Sequence, residues 1–228
     1  MTEPRGPYGM DEEEPSDVRA QERVAFLLGL RGRGISDISV LRAMEIAPRE
    51  NFVPRKHADL AWRNVALPIA CGQTMPEPLL VARMMQALSI RPDHRVLEIG
   101  SGSGYATAIL SQLAGEVVSF ERYRSLAMEA RTRLESFEIR NATVAWDDGL
   151  AAAPLAGLFD RILIHGRLPG LPGSLAASLK DDGVIVLARE REEGRRLVRL
   201  VCSGDGFAET VIAPCRASAL EQGRSAFL

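Results

Sequence analysis

The sequence predicts an α/β fold with a doubly wound, seven-stranded, mostly parallel sheet and an N-terminal helical extension. Seven short apolar runs of strand length follow residue 94, and segments of helical pattern separate several of them. The first run, 95–99, leads directly into a turn with glycine at 100, 102 and 104, after which a helical pattern begins. A strand, a glycine-rich turn and a helix in this order form the ligand-holding corner of a Rossmann-like unit.

The order of the elements predicts how the sheet is built. Strands joined by helical crossovers run parallel, whereas strands joined by a short turn pair as an antiparallel hairpin. No helical pattern lies between the last two runs, so we expect a C-terminal antiparallel hairpin at one edge. Strands are predicted at 95–99, 116–120, 142–146, 161–165, 183–188, 197–202 and 208–213, and helices at 104–114, 123–136 and 172–180.

The part of the chain before the sheet divides into a tail and an extension. Residues 1–17 are acidic and contain proline, which is typical of a disordered tail, and residues 18–90 form the predicted helical extension. Within it we expect helices at 18–29, at 39–46 behind a cap at Asp37 or Ser36, and at 78–88 with proline in the first turn. Residues 91–228 form the predicted ligand-binding domain.

Composition and charge limit the classes of partner. The chain has 228 residues and a formal net charge of −2, which gives no electrostatic case for nucleic acid or an anionic membrane surface. No apolar stretch approaches the ~20 residues that a membrane helix needs, and the N-terminus lacks the apolar core of a secretory signal. Three scattered cysteines without metal-ligand spacing indicate a reduced, cytoplasmic protein with no metal site. The sequence leaves the oligomeric state open.

The form of the glycine turn indicates which ligand it holds. Dinucleotide-binding proteins read G-x-G-x-x-G and place a pyrophosphate at the helix N-terminus. Here the glycines alternate and an acid, Glu98, stands at the strand end, so a pyrophosphate would be repelled and a cationic ligand attracted. S-adenosylmethionine carries a sulfonium and an ammonium and no phosphate, and it is the ligand that we expect. A dinucleotide and a tight turn without any ligand are the alternatives.

A second acid supports the same prediction. The run 116–120 is followed by Glu121. It comes about 20 residues after the glycine turn, the spacing at which an acid ending the second strand meets ribose hydroxyls. A carboxylate accepts two hydroxyl hydrogen bonds in a bidentate arrangement. We therefore expect Glu121 to bind the ribose.

Several further segments are specific motifs. They are Arg33-Gly-Ile-Ser-Asp37, Ala47-Pro-Arg-Glu-Asn-Phe-Val-Pro54, Leu67-Pro-Ile69, Gly72-Gln-Thr74, Arg95 to Tyr105 and Val117-Val-Ser-Phe-Glu-Arg122. Through these segments, from about residue 31 to about residue 214, the chain resembles the protein-L-isoaspartate O-methyltransferase family. That family transfers a methyl group from S-adenosylmethionine to the free carboxylate of an isoaspartyl residue in a protein or peptide. The resemblance implies the same activity and substrate here.

The resemblance also implies a set of cofactor-binding residues. The glycine turn lies under the methionine and ribose portions, Ser101 and Ser103 donate hydroxyl hydrogen bonds, and Asp148-Gly149 meets the adenine ring. An ordinary turn after a strand would have the same Asp-Gly sequence. The full set is Thr74, Glu98, Gly100, Ser101, Gly102, Ser103, Gly104, Glu121, Asp148 and Gly149.

The chain departs from the family pattern where the substrate binds. The active-site serine of the family corresponds to Pro76, which has neither a hydroxyl nor a backbone N–H. After the fourth strand, where the family has small residues, stand His165 and Arg167. Arg167 is a candidate partner for the substrate carboxylate, and His165 a candidate base for an acceptor of higher pKa. The alternative is that both are ordinary polar residues at a strand end.

The sequence thus predicts a methyltransferase that acts on a protein or peptide carboxylate, with its catalytic residues unassigned. A carboxylate is ionised at neutral pH and needs no general base, so loss of the serine does not by itself exclude this activity. A related methyltransferase with a different acceptor is one alternative. A non-catalytic module that binds the cofactor or a partner is another.

Overall fold

The computed structural model of the chain describes residues 16–152, 157–204 and 206–225. The tail predicted at 1–17 lies outside these residues apart from its last two, with which the first helix begins. The N-terminal part contains helices α1 (Ser16–Arg31), α2 (Ile38–Ile46) and α3 (Pro78–Leu88), two short 3₁₀ helices (Arg49–Phe52 and Arg55–Leu60) and a small antiparallel pair, β1 (Leu67–Pro68) with β2 (Thr74–Met75). A third 3₁₀ turn, Ala70–Gly72, joins β1 to β2.

Local hydrogen bonds fix the start of α2. Asp37 Oδ1 accepts from the backbone N–H groups of Ser39 (2.9 Å) and Val40 (3.3 Å), so Asp37 is the cap. The other predicted candidate, Ser36, donates its backbone N–H to Oε1 of Gln86 on α3 at 2.8 Å. This bond ties the start of α2 to α3.

The sheet has the order β5-β4-β3-β6-β7-β8-β9. Its strands are β3 (Arg95–Ile99), β4 (Glu116–Glu121), β5 (Ala142–Trp146), β6 (Phe159–Arg167), β7 (Leu179–Arg191), β8 (Gly194–Ser203) and β9 (Gly206–Pro214). The first five run parallel, whereas β8 pairs antiparallel with β7 and β9 with β8. Between strands lie α4 (Tyr105–Leu113), α5 (Arg124–Ser136), α6 (Gly149–Ala152) and α7 (Gly173–Ala176). The predicted mostly parallel sheet with a C-terminal hairpin is confirmed.

The structure differs from the prediction before β7. The helix expected at 172–180 is the four-residue α7, and β7 already begins at Leu179. Leu179 pairs with Phe159 and Val184 with Arg161, so residues 180–183 bulge out of the ladder opposite a single residue of β6. Gly183 closes this bulge, since a Cβ there would lie 2.4 Å from Cγ of Leu179.

The strand order determines where a ligand can sit. β3 has β4 on one side and β6 on the other, so the direction of winding reverses at β3. In open α/β sheets, ligands bind outside the carboxyl ends of the strands at such a switch point. The expected place is therefore the crevice between the ends of β3 and β6.

Each face of the sheet has its own hydrophobic cluster, because successive residues of a strand point to opposite faces. On one face, Val96 packs in a cluster that extends through α1 to α5 and includes Leu30. The N-terminal extension and the sheet therefore share a core. On the other face, Leu97 belongs to a second cluster, to which α6 and α7 contribute Leu150 and Leu175. No helix among the described residues is long and apolar enough to cross a membrane.

Candidate active site

Two joined cavities open at the carboxyl ends of β3 and β6. The large cavity has a volume of about 370 Å³ and the small cavity about 100 Å³. Together they reach the size of small-molecule sites, about 300–1,000 Å³. Six residues line both cavities: Ile69, Gln73, Thr74, Gly100, Gly102 and His165. The crevice thus has two ends that meet at these residues.

The glycine turn forms the floor of the crevice. Gly100, Gly102 and Gly104 have φ angles of +91°, +53° and +87°, a backbone region that favours glycine. Gly104 lines neither cavity and serves packing, since a Cβ there would lie 3.1 Å from Cβ of Ala130 on α5. Ser101 lines the large cavity, and its buried hydroxyl has no hydrogen-bond partner within the described part of the chain. This hydroxyl is therefore free to hydrogen-bond a molecule in the crevice.

Glu121 ends β4 on the wall of the small cavity and is 4% exposed. Its Oε2 accepts from the N–H of Gly102 at 2.9 Å and its Oε1 from the N–H of Tyr123 at 3.0 Å. Burial raises the pKa of Glu121, and these hydrogen bonds to the charged form oppose the rise. Each carboxylate oxygen keeps a second lone pair for a ligand hydroxyl.

Glu98 lies beneath the crevice rather than on its wall. It is fully buried, and its Oε2 accepts hydrogen bonds from the hydroxyls of Thr107 (2.5 Å) and Ser119 (2.7 Å). Nε2 of His165 lies 2.9 Å from Oε1 of Glu98. The imidazole therefore stands between this acid and the crevice.

Asp148 and Gly149 follow β5 and line the small cavity. Asp148 Oδ1 accepts from the N–H of Leu150 at 3.0 Å, and Oδ2 accepts from the N–H of Gly223 at 2.7 Å. Gly149 packs so closely that a Cβ there would lie 2.9 Å from Cβ of Phe120. The turn is held from both sides, with its main chain at the cavity wall.

The C-terminal segment, residues 217–225, crosses the ends of the strands beside the small cavity. The N–H of Leu220 donates to the carbonyl of Arg167 at 3.0 Å. Arg122 forms an ion pair with Glu221, and its Nε donates to the carbonyl of Gly223 at 3.0 Å. Leu220 and Glu221 line the small cavity. The sequence carries no periodic signal for this arrangement, which depends on long-range contacts.

A buried arginine holds the wall of the large cavity. Arg49 is fully buried, and its guanidinium donates to the carbonyls of Ala61 (3.0 Å), Val65 (2.9 Å) and Pro76 (3.0 Å). Burial lowers the pKa of Arg49 to about 10, so it is charged at neutral pH. Arg49 fixes the backbone at Pro76, which lines the large cavity. The sequence shows that Arg49 belongs to the segment Ala47 to Pro54, but it does not show that the side chain is buried.

Arg167 lies away from both cavities. Its Nε is 3.4 Å from Oε2 of Glu190. Two other arginines line the large cavity, Arg195 and Arg216, and sequence reasoning did not select either. Among the residues predicted for the site, Glu98, Gly104 and Arg167 line neither cavity. The crevice brings together Thr74, Pro76, Gly100, Ser101, Gly102, Ser103, Glu121, Asp148, Gly149 and His165.

Comparisons with known proteins identify the family to which this crevice belongs. Residues 21–216 match the profile of the protein-L-isoaspartate(D-aspartate) O-methyltransferase family. A protein-L-isoaspartate O-methyltransferase of Xanthobacter autotrophicus is 48% identical over 214 residues, which cover 93% of this chain and 98% of the relative. One from Rhodopseudomonas palustris is 51% identical over 165 residues, covering 72% and 77% of the two chains.

The fold also matches solved structures. A Plasmodium falciparum protein of the same family name, crystallised in complex with S-adenosyl-L-homocysteine, superposes with a TM-score of 0.74 at 20% identity. The match covers 86% of this chain and 97% of that one, and at this identity it concerns the fold. Because the family profile spans most of the sequence and relatives are about half identical, the chain belongs to the protein-L-isoaspartate(D-aspartate) O-methyltransferase family.

Proposed function

We propose that this chain transfers a methyl group from S-adenosylmethionine to the free carboxylate of isoaspartyl residues in proteins or peptides. The observation that carries the proposal is the continuous crevice at the switch point of the sheet. It has a buried carboxylate, Glu121, at one end and two arginines, Arg195 and Arg216, at the other. These ends suit a nucleoside with two free hydroxyls and an anionic acceptor, respectively.

The residues of the small cavity and the glycine turn fit S-adenosylmethionine. Gly100 and Gly102 let the ligand approach the main chain, the unpartnered hydroxyl of Ser101 is a free donor, and Glu121 accepts ribose hydroxyls. Asp148-Gly149 presents its backbone to the adenine. S-adenosylmethionine would supply a methyl group bonded to a sulfonium. The acceptor oxygen forms a bond to the methyl carbon, the carbon–sulfur bond breaks, and its electron pair stays on sulfur.

The residues of the large cavity bind and orient the acceptor. Arg216 is exposed at the rim, and Arg195 is 3.4 Å from Glu190. Their positive charge attracts a carboxylate, which is already ionised at neutral pH. Holding the acceptor oxygen in line and excluding water accounts for most of the rate that such a displacement requires.

The net charge and the cysteines support two further proposals, about the partners and the location of the protein. A net charge of −2 opposes nucleic-acid binding, so we propose protein or peptide substrates and no nucleic acid. Cys71, Cys202 and Cys215 are free thiols, which supports a reducing, cytoplasmic location.

The test is methyl transfer from labelled S-adenosylmethionine to an isoaspartyl peptide and to the same peptide with ordinary aspartate. We expect label on the isoaspartyl peptide and none on the aspartyl peptide. Equal labelling of both, or labelling of neither while the cofactor binds, would contradict the proposal. Binding of S-adenosylhomocysteine, measured by calorimetry, distinguishes an inactive cofactor-binding module from an empty one.

A further inference from the structure

His165 lies where the large and small cavities meet. Among the six residues that line both, it is the one with a titratable side chain. Its side chain is 12% exposed, and its Nε2 is 2.9 Å from Oε1 of the fully buried Glu98. Since Nε2 is turned toward Glu98, Nδ1 is the ring nitrogen left for a ligand.

The number of protons on the Glu98–His165 pair decides what Nδ1 can do. If Glu98 is ionised and the ring is neutral, Nε2 carries the hydrogen and Nδ1 is an acceptor. An ionised carboxylate only accepts hydrogen bonds, so it cannot bind to Nδ1 in this state. With one more proton on the pair, Nδ1 carries a hydrogen and becomes a donor. The hydroxyls of Thr107 and Ser119 both donate to Oε2 of Glu98, so Oε1 is the oxygen that remains for the imidazole.

We propose that the protonated Glu98–His165 pair binds the methyl-accepting carboxylate through Nδ1 of His165, in place of the serine for which this chain has Pro76. The inference rests on the proposed function. His165 is then a catalytic residue, and Glu98 is a positioning residue that orients the ring and balances its charge. Transfer to a carboxylate releases no proton, so the pair keeps its proton throughout and no base is required.

Other charged or titratable groups share the cavity walls with His165. On the small cavity these are Glu121, Arg122, Tyr123, Asp148 and Glu221. On the large cavity they are Glu77, Tyr105, Arg195, Cys215 and Arg216. Within the described part of the chain, the ionisable side chain that hydrogen-bonds the ring of His165 is that of Glu98. A pH effect that disappears when His165 is changed and moves along the pH scale when Glu98 is changed therefore belongs to this pair.

The test is the affinity of an isoaspartyl peptide for the enzyme saturated with S-adenosylhomocysteine, measured by calorimetry between about pH 5 and pH 8. We expect the affinity to fall as pH rises, because Nδ1 loses the hydrogen that it donates. His165→Ala should weaken binding about tenfold or more at the acidic end and remove the pH dependence. His165→Gln keeps a donor that does not titrate, so its affinity should not vary with pH. His57→Gln, in the 3₁₀ helix Arg55–Leu60 outside the crevice, is the matched control and should keep the wild-type profile.

Two further variants separate this role from a merely structural one. Glu98→Gln removes the balancing charge, so the pH at which peptide affinity is lost should be lower than in the wild type. The pH-dependent change of the His165 ring signal in NMR spectra should move by the same amount. Pro76→Ser introduced into the His165→Ala variant should restore peptide binding without pH dependence. This rescue requires a folded protein, so it also shows that His165→Ala acts on binding.

Two results would overturn the inference while leaving the proposed function intact. One is isoaspartyl transfer and peptide affinity that His165→Ala leaves unchanged. The other is transfer that needs His165 and increases with pH, which would make His165 a base for an acceptor of higher pKa. If the wild-type protein neither binds nor methylates the isoaspartyl peptide at any pH, the proposed function fails and this inference fails with it.

Discussion

At the scale of single residues, two glutamates at neighbouring strand ends have different roles because their surroundings differ. Glu98 is fully buried, and His165 separates it from the crevice. Glu121 is held by two backbone N–H groups and keeps its carboxylate on the cavity wall. Both stand at the end of an apolar run, and the sequence predicts a ligand contact for each, Glu98 with a cationic ligand and Glu121 with its ribose. The side chain of His165, from a third strand, and the hydroxyls of Thr107 and Ser119 distinguish Glu98 from Glu121.

We expect Glu121→Ala to weaken binding of S-adenosylmethionine by at least about tenfold, because hydrogen bonds to a charged group contribute about 1.5–3 kcal/mol. The change also leaves the N–H groups of Gly102 and Tyr123 without their acceptor. Calorimetric titration measures the effect. Glu135→Ala, at an exposed position on α5, is the control and should bind normally. Undiminished affinity of Glu121→Ala would remove Glu121 from the site.

A second prediction at this scale concerns Gly149. A Cβ at this position would lie 2.9 Å from Phe120 Cβ and 3.0 Å from Ile99 Cγ2. Both neighbours belong to buried strands, so Gly149→Ala should cost about 1–3 kcal/mol through overpacking and lower the melting temperature by several degrees. Gly173→Ala, with nothing within 4 Å of the added methyl, should leave it nearly unchanged. Equal melting temperatures for the two variants would show that the Asp148-Gly149 turn can shift to accommodate the added methyl group without loss of stability.

At the scale of elements, strands that coincide with apolar runs were predictable, and elements set by distant contacts were not. The bounds of β3 and β5 agree with the apolar runs at 95–99 and 142–146. The start of β7 was missed because its first residues bulge around Gly183, which the composition of 172–183 does not reveal. The position of the C-terminal segment depends on Arg122 and Asp148, about 100 and 75 residues earlier in the chain.

The C-terminal segment provides a prediction for an element. A Cβ on Gly166 would lie 2.6 Å from Cγ of Leu220, so Gly166→Ala must displace Leu220 from the wall of the small cavity. We expect weaker binding of S-adenosylhomocysteine and faster tryptic cleavage at Arg216 and Arg224, because a displaced segment is more accessible. The measurements are calorimetry and timed proteolysis with mass spectrometry.

The matched control for that experiment is Gly170→Ala. Gly170 follows β6 closely, and an added methyl there meets nothing within 4 Å. Its affinity and cleavage rate should equal those of the wild type. If Gly166→Ala behaves like Gly170→Ala, the segment is not coupled to the cofactor site.

At the scale of the whole molecule, the fold class followed from the order of strands, turns and helices, but the site did not. The sequence separates Glu121 from His165 by more than 40 residues, and the order β4-β3-β6 brings them to one crevice. Thr74 reaches the same crevice from β2, which belongs to a separate antiparallel pair. The shared core has a consequence for stability as well. Because Leu30 of the extension and Val96 of the sheet pack in one cluster, the two parts should unfold together in a single transition.

That cooperativity makes the stability of the whole chain a reporter of the crevice. A ligand that binds the folded state at a free concentration of one hundred times its Kd raises the free energy of unfolding by about 2.7 kcal/mol. We expect S-adenosylhomocysteine to do so in denaturant titrations. NAD⁺ should have no effect, because the glycine turn lacks the G-x-G-x-x-G spacing of a pyrophosphate site and the buried acid Glu98 lies beneath it.

If the affinity of Glu121→Ala is tenfold lower, the same concentration of S-adenosylhomocysteine should raise its free energy of unfolding by about 1.4 kcal/mol less than that of the wild type. A comparable increase with NAD⁺ would instead favour a dinucleotide site. Two separate unfolding transitions, only one of which responds to S-adenosylhomocysteine, would show that the extension does not share the core through which the ligand stabilises the sheet.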